Sequence, residues 1–260
     1  MEFYKYQGAG NDFIVIDNRQ GRWALSEQQI EKLCNRRTGI GGDGLMLLQD
    51  ASDYDFEMRY YNADGKLGSM CGNGGRCIVA FAHRLGLFEE TCNFLAYDGP
   101  HQASVQDNGA WVKLQMRDVE TIRAHGSDWI LDTGSPHYVK KVSALSGFPV
   151  VQVGRDIRNQ AEFKAQGINV NFVEPEAAGY HVRTFERGVE DETLACGTGV
   201  TAVALAMIYE KQEPGPHAMS LSVPGGRLGV SFNYRGNQLF TDIFLEGPAQ
   251  LVFTGSVTLV

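Results

Sequence analysis

Two short runs carry residue types that can move a proton: Met70-Cys71-Gly72-Asn73-Gly74-Gly75-Arg76 and, far downstream, Ala195-Cys196-Gly197-Thr198-Gly199-Val200. In each, a cysteine is followed by Gly-x-Gly and then by apolar residues at helical spacing. These are Cys77, Ile78, Val79, Phe81, Ala82 and Leu85 in the first case, and Val200, Val203, Ala204 and Met207 in the second. The spacing places each thiol at the mouth of a helix. There the first backbone N–H groups lack intrahelical partners and carry roughly half a positive charge, which binds anions and favours thiolate over thiol. Glycines after the cysteine let a ligand approach those amides closely.

Two such mouths aimed at one ligand suit stereoinversion at carbon. Their amides would hold a carboxylate, and N–H donors there stabilise the charge that develops when the adjacent α-proton leaves. One cysteine, as thiolate, would remove that proton, and the other, as thiol, would return one from the opposite face. An unperturbed thiol titrates near about 8.5, so a modest downward shift brings it into range at neutral pH. The scheme requires no metal and no organic cofactor.

The elements that must position the thiols point to a duplication. Phe13–Asp17, Leu45–Leu48 and Phe56–Asn62 read as strands, Ser26-Glu27-Gln28-Gln29 has the types of a capping box for a helix to about Asn35, and several short strands follow from Phe94 to Met116. Thr38–Gly44 is glycine-rich but precedes a strand, so it is not a dinucleotide fingerprint. From about Asp118 the pattern restarts. Trp129–Val139 sets a polar turn between apolar runs, as Gly8–Ile16 does, and His181–Gly188 leads into Cys196 as Met58–Gly65 leads into Cys71. Asn62 lies nine residues before its cysteine and Glu186 ten before the other. The tail from Leu221 is strand after strand, with Gly255–Val260 expected as one more. Strands outnumber helices, so each half is expected to be a mainly antiparallel sheet curled around one apolar helix, an α+β fold. The helix from Gly199 to about Tyr209 is apolar on most faces, as such a helix should be.

Composition bounds the function. The 260 residues carry a net charge of −8, with no basic run, which argues against nucleic-acid binding. The opening Met1–Tyr6 lacks a signal peptide's features and no apolar stretch approaches the roughly 20 residues of a membrane span, so a cytoplasmic protein is expected. Five cysteines without C-x-x-C spacing point to thiols and not to a disulfide framework or structural zinc, and Cys34, Cys77 and Cys92 read as small core hydrophobes. His137, after Pro136 in a turn, reads by itself as a structural or surface histidine. Asn11, Asn62 and Asn169 read as turn or strand-end residues, and Glu186-Arg187 as a solvated pair.

Over essentially its whole length the sequence resembles the diaminopimelate epimerases, cofactor-independent enzymes that interconvert LL- and meso-diaminopimelate on the way to lysine and peptidoglycan. The resemblance rests on Gly8–Phe13, Gly39–Gly44, Asn62–Gly65, Met70–Arg76 and Ala195–Gly199, and Asn73 separates it from the related proline racemases, which carry His there. It implies that Cys71 and Cys196 are the acid/base thiols and that amides at Gly72, Asn73, Gly197 and Thr198 hold the reacting carboxylate. Asn11 would lie near the reacting amine. Asn62, Asn169, Glu186 and Arg187 would fix the distal end, where Arg187 suits a carboxylate because its planar fork binds that group in a bidentate way. His137 and Glu186 would tune the thiols. The resemblance also implies two pseudo-symmetric halves, 1–118 with 250–260 returning to it, and 119–249, with the active site between them, closing around substrate in a homodimer. Three departures stand out: Ser135 replaces an Asn common before Pro-His, Gly44 stands where some members carry Gln, and Glu186–Thr193 is one residue longer and more acidic than usual.

Overall fold

The computed structural model describes residues 1–68 and 70–259; Val260, the last residue of the expected terminal return, lies outside the described residues. By its contacts the chain divides into two compact units, Met1–Leu114 with the segment from Glu246 onward, and Gln115–Leu245. Helices are α1 (Glu27–Cys34), α2 (Gly72–Arg84), α3 (Val150–Arg158) and α4 (Gly197–Lys211). Among the described residues no helix is long and apolar enough to cross a membrane.

In the first unit, strand Glu2–Gly8 pairs antiparallel with Gln250–Ser256 on one side and with Asn11–Asp17 on the other. The turn between the latter two holds Ala9 and Gly10 at φ of 53° and 91°, the left-handed pair a tight hairpin requires. The sheet continues parallel to Gly44–Gln49, antiparallel to Phe56–Asn62, parallel to Thr91–Ala96, then antiparallel through Gly99–Gln106 to Trp111–Gln115. Each parallel step needs a crossover, and α1 and α2 supply them. Ile14, Ile16, Leu45 and Leu47 face Ile30 and Leu33 of α1, and the alternate residues face α2. Both faces are therefore apolar, and the strands read as continuous hydrophobic runs. Ser26 caps α1 in the expected reciprocal box: Gln29 N–H donates to Ser26 Oγ at 3.3 Å, and Ser26 N–H to Gln29 Oε1 at 3.0 Å.

The second unit repeats this order. Ile122–His125, Asp128–Asp132 and Pro136–Lys141 form an antiparallel meander. Pro136–Lys141 then pairs parallel with Asn169–Glu176 across α3, which pairs antiparallel with Gly179–Glu186. Gly179–Glu186 meets Gly215–Val223 in parallel after the α4 crossover, and Gly226–Tyr234 follows antiparallel. α4 is apolar all round, with Val200 through Ala206 at 0% exposure, because sheet surrounds it. α3 covers the opposite face through Val150 and Ile157, which pack with Phe172 and Phe185. The sequence reading did not anticipate α3. Its Gly154 is required by contact, since a Cβ there would stand 2.4 Å from Phe185.

Two expectations are corrected. His137 does not lie in the turn, which ends at Ser135; it is in strand Pro136–Lys141 and fully buried. Gly255 does not open a strand: it lies near the end of Gln250–Ser256, and Val257 still exchanges backbone hydrogen bonds with Met1 at 2.8 and 2.9 Å.

Candidate active site

Both cysteines occupy the N-cap position of a central helix. Cys71 (φ −104°, ψ 122°) precedes α2 and Cys196 (φ −121°, ψ 108°) precedes α4, each in extended backbone and neither capping its helix with its own side chain. Their carbonyls accept the first helical bonds, from Gly75 N–H at 2.6 Å and Val200 N–H at 3.0 Å. Cys71 is partly exposed and Cys196 is 8% exposed, with its Sγ 3.6 Å from Thr198 Oγ1. The other thiols are core groups: burial pushes Cys34 up to about 11 and Cys77 and Cys92 up to about 12, which leaves them protonated and inert.

Around the α2 mouth, buried and half-buried polar groups form one directed chain of hydrogen bonds. Arg76, fully buried one turn into the helix, donates to Asn73 Oδ1 at 3.0 Å, to the Gly72 carbonyl at 3.3 Å and to the Pro248 carbonyl at 3.4 Å. Asn73 Nδ2 donates to Asn11 Oδ1, and Asn11 Nδ2 donates to Asp43 Oδ2 at 3.0 Å. A pure donor starts the chain and a carboxylate ends it, so neither amide can turn over. Asp43 and Asp12 are in turn bridged by Arg36, at 2.7 and 2.5 Å, and Lys5 meets Asp12 at 2.6 Å. Burial alone would raise the Asp12 carboxyl, but Arg36 and Lys5 outweigh it and hold it at about 2. Among the described residues no carboxylate forms an ion pair with Arg76, and burial draws its pKa down from the ordinary arginine value.

The α4 mouth has a different floor. The register pairs Phe13 with Gly44 and Met46 with Tyr60 in the first unit, His137 with Asn169 and Asn171 with Thr184 in the second. Where the first unit has Phe13 and Met46 beneath Gly74, the second has Asn171 beneath Gly199, with His137 hydrogen-bonded to that amide. His137, Asn171 and Thr184 are buried to 0%, 0% and 3% exposure. Burial, with a smaller push from Arg187, lowers the His137 imidazole to about 3, so the ring is neutral at physiological pH.

The expected distal residues of the second unit come together. Asn169 Oδ1 accepts from Arg187 N–H at 2.9 Å, and Asn169 Nδ2 donates to the Pro136 carbonyl at 3.3 Å. The Arg187 guanidinium reaches the Gln166 carbonyl at 3.0 Å and Ser135 Oγ at 3.1 Å, so Ser135 is its partner. Glu186 Oε2 accepts from Thr193 Oγ1 at 2.8 Å, and Thr133 Oγ1 donates to the Thr198 carbonyl at 2.8 Å. Two of the acidic loop's carboxylates are paired locally: Glu190 bonds Arg158 at 3.2 Å and Glu192 bonds Arg183 at 2.6 Å. Asn62 stands exposed at its strand end, outside the Arg76–Asp43 chain. Gly44 leaves no gap, because a side chain there would begin 2.5 Å from the Tyr60 ring. Sequence reasoning missed the hydrogen-bonding parts played by Arg76, Asp43, Asn171 and Thr184. For Arg76 and Asn171 a charged or amide residue beside an apolar run was the available signal; Asp43, in a glycine-rich turn, and Thr184 carried none.

A thiol at the mouth of a sheet-wrapped helix, built twice on one α+β frame, defines a class, and solved structures share its fold. The chain superposes on a Bacillus anthracis phenazine biosynthesis protein of the PhzF family with a TM-score of 0.78 (16% identity, 99% of each chain). It superposes on a probable proline racemase from Agrobacterium radiobacter with a TM-score of 0.70 (13% identity, 100% of this chain and 93% of that one). The sequence profile described as diaminopimelate epimerase matches residues 3–122 and 129–252. Diaminopimelate epimerases from Flavobacterium psychrophilum and Chlorobaculum tepidum are 47% and 44% identical, over 99% and 97% of this chain and 100% and 99% of theirs. The chain belongs to the diaminopimelate epimerase family.

Proposed function

We propose that this enzyme interconverts LL- and meso-diaminopimelate by moving the α-proton between two bases, Cys71 and Cys196, acting on one carbon. The observation that carries the reading is the repeated placement: in both units the thiol is the N-cap of the central helix and does not cap it, so helix amides at Gly72 and Asn73, and at Gly197 and Thr198, serve a carboxylate. Removal of the α-proton sends charge onto that carboxylate, where such donors count most. Asn11, oriented by Asn73 and Asp43, suits the reacting amine. Asn169 and Glu186 suit the distal amine, and Arg187, steered by Ser135 and Gln166, the distal carboxylate, with Asn62 at the exposed strand end completing that grip. His137 supports a thiol or the substrate. No step calls for a metal or organic cofactor.

The enzyme acts in the cytoplasm as a homodimer. Support for the dimer is strand Gln250–Ser256, which pairs with Glu2–Gly8 and exposes Val252 and Phe253 at 56% and 47%, an apolar pair that a second copy would cover.

Purified protein supplied with LL-diaminopimelate in deuterated water, without added cofactor, is expected to form the meso isomer with deuterium at the inverted carbon. Absence of both product and label contradicts the assignment; turnover of proline or hydroxyproline in its place moves the enzyme to another substrate. Sedimentation of the protein, with and without Phe253→Lys, checks the dimer.

A further inference from the structure

The amide of Asn171 is fixed by partners that leave it one orientation. Its Nδ2 lies 3.0 Å from the Tyr138 carbonyl, which can only accept, and its Oδ1 accepts from Thr184 Oγ1 at 3.0 Å. The second Nδ2 hydrogen reaches His137 Nδ1 at 3.1 Å. A ring nitrogen that faces an N–H must offer its lone pair. In a neutral imidazole the proton then sits on Nε2. That Nε2 is buried and has no hydrogen-bond partner among the described residues. A buried donor left unsatisfied costs about 1–3 kcal/mol, a cost that makes sense where an acceptor arrives during function. Gly199 protects the arrangement, since a side chain there would begin 2.3 Å from Asn171 Oδ1.

We propose that Asn171 is a positioning residue that locks His137 as the Nε2–H tautomer, so that His137 serves the site as a neutral hydrogen-bond donor to an anion and not as a base. The tautomer assignment stands on the hydrogen bonds alone; the identity of the anion, a thiolate or a substrate carboxylate, rests on the epimerase reading. A base needs a lone pair on the ring nitrogen left for a ligand, and Nε2–H has none to give. Burial also keeps the ring from gaining a second proton, as its value of about 3 reflects. His137 therefore transfers no proton: it lowers the energy of negative charge placed beside it.

Nitrogen NMR of the ligand-free protein labelled in histidine tests this directly. Expected is a pyridine-like Nδ1 and a pyrrole-like Nε2–H for His137, unchanged between about pH 5 and pH 8 where an ordinary histidine titrates. An Nδ1–H tautomer, or a ring that titrates in that range, overturns the proposal. Asn171→Asp supplies an acceptor and should invert the tautomer. Thr184→Val removes the hydroxyl that orients the amide and should mix the two tautomers; being isosteric, it keeps the test open should Asn171→Asp fail to fold. Turnover should fall about ten- to a hundredfold in Asn171→Asp, the loss of one hydrogen bond to a charged group. A fall in kcat at unchanged KM assigns the anion as a thiolate, and a rise in KM assigns it as the substrate carboxylate. Unchanged kcat/KM in a variant whose tautomer has inverted contradicts the functional half, whatever substrate the enzyme turns over.

Discussion

The mouths of α2 and α4 share a frame and differ in where they keep their polar groups. Beside Cys71 the polar groups ride on the helix, as Arg76 and Asn73, and at or just before the starts of two strands, as Asn11 and Asp43, over an apolar floor of Phe13 and Met46. Beside Cys196 the helix is apolar past Thr201, and the polar groups lie in the floor, as His137, Asn171 and Thr184. The position that holds Arg76 in α2 holds Thr201 in α4, whose hydroxyl only back-bonds to the Gly197 carbonyl at 2.9 Å. The first unit thus has a buried permanent cation on its central helix, and the second has a neutral imidazole in the sheet beside its own. The two units carry the same frame with a thiol at the same place, and different residues at matching register positions make the surroundings of the two thiols unequal. A substrate with a distal end needs that inequality, because it must be held one way round.

The comparison breaks first at the thiols. Cys71→Ala and Cys196→Ala should each reduce kcat by about 10²–10⁴-fold, the usual worth of a positioned proton-transfer group, if both ends do chemistry. Loss from one substitution only would show that the two mouths are not equivalent in role.

Next come the two glycines three residues past the cysteines. Gly199→Ala would drive a methyl to 2.3 Å from Asn171 Oδ1, and overpacking of that kind costs about 1–3 kcal/mol. At Gly74→Ala the nearest atom is Met46 Sδ at 3.3 Å, and the gain in helix propensity, about 0.5–1 kcal/mol, should cancel most of the strain. Urea unfolding of the pair measures the difference directly.

Acid should separate the floors. The folded pKa of His137 is depressed from 6.5 to about 3, so the unfolded chain binds the extra proton between those values and stability falls as pH drops through that window, by at most about 1.4 kcal/mol per pH unit. Asp12, depressed from 3.8 to about 2, adds its loss only below about pH 4. Urea midpoints against pH should therefore flatten between 6.5 and about 4 in His137→Gln and keep the Asp12 slope below about pH 4. The smallest effect belongs to the distal end: Ser135→Ala removes one bond to Arg187, worth about 0.5–1.5 kcal/mol, and should raise KM several-fold with kcat unchanged.

Much of this was legible in the residues. The two Cys-Gly-x-Gly mouths, the capping box at Ser26 and the repeated approach to each cysteine are local patterns, and local patterns survive folding. α3 was not legible because Val150, Val151 and Val153 are β-branched and Gly154 weakens a helix; packing on the sheet outweighs propensity there. His137 was misplaced because a Pro before it reads as a turn, whereas at the first position of a strand Pro gives up no needed ladder bond. Asn171 and Thr184 sit in apolar runs of different strands, and only the pairing of those strands brings them to one histidine.

The central claim, two thiols acting on one carbon from separate units, is tested most directly by the fate of hydrogen in the first turnovers. With protiated LL-diaminopimelate in deuterated water, two bases predict that each newly formed meso molecule carries solvent deuterium at the inverted carbon while the remaining LL isomer stays protiated. Transfer of the substrate's own α-hydrogen into the meso product would mean a single base and would contradict the account.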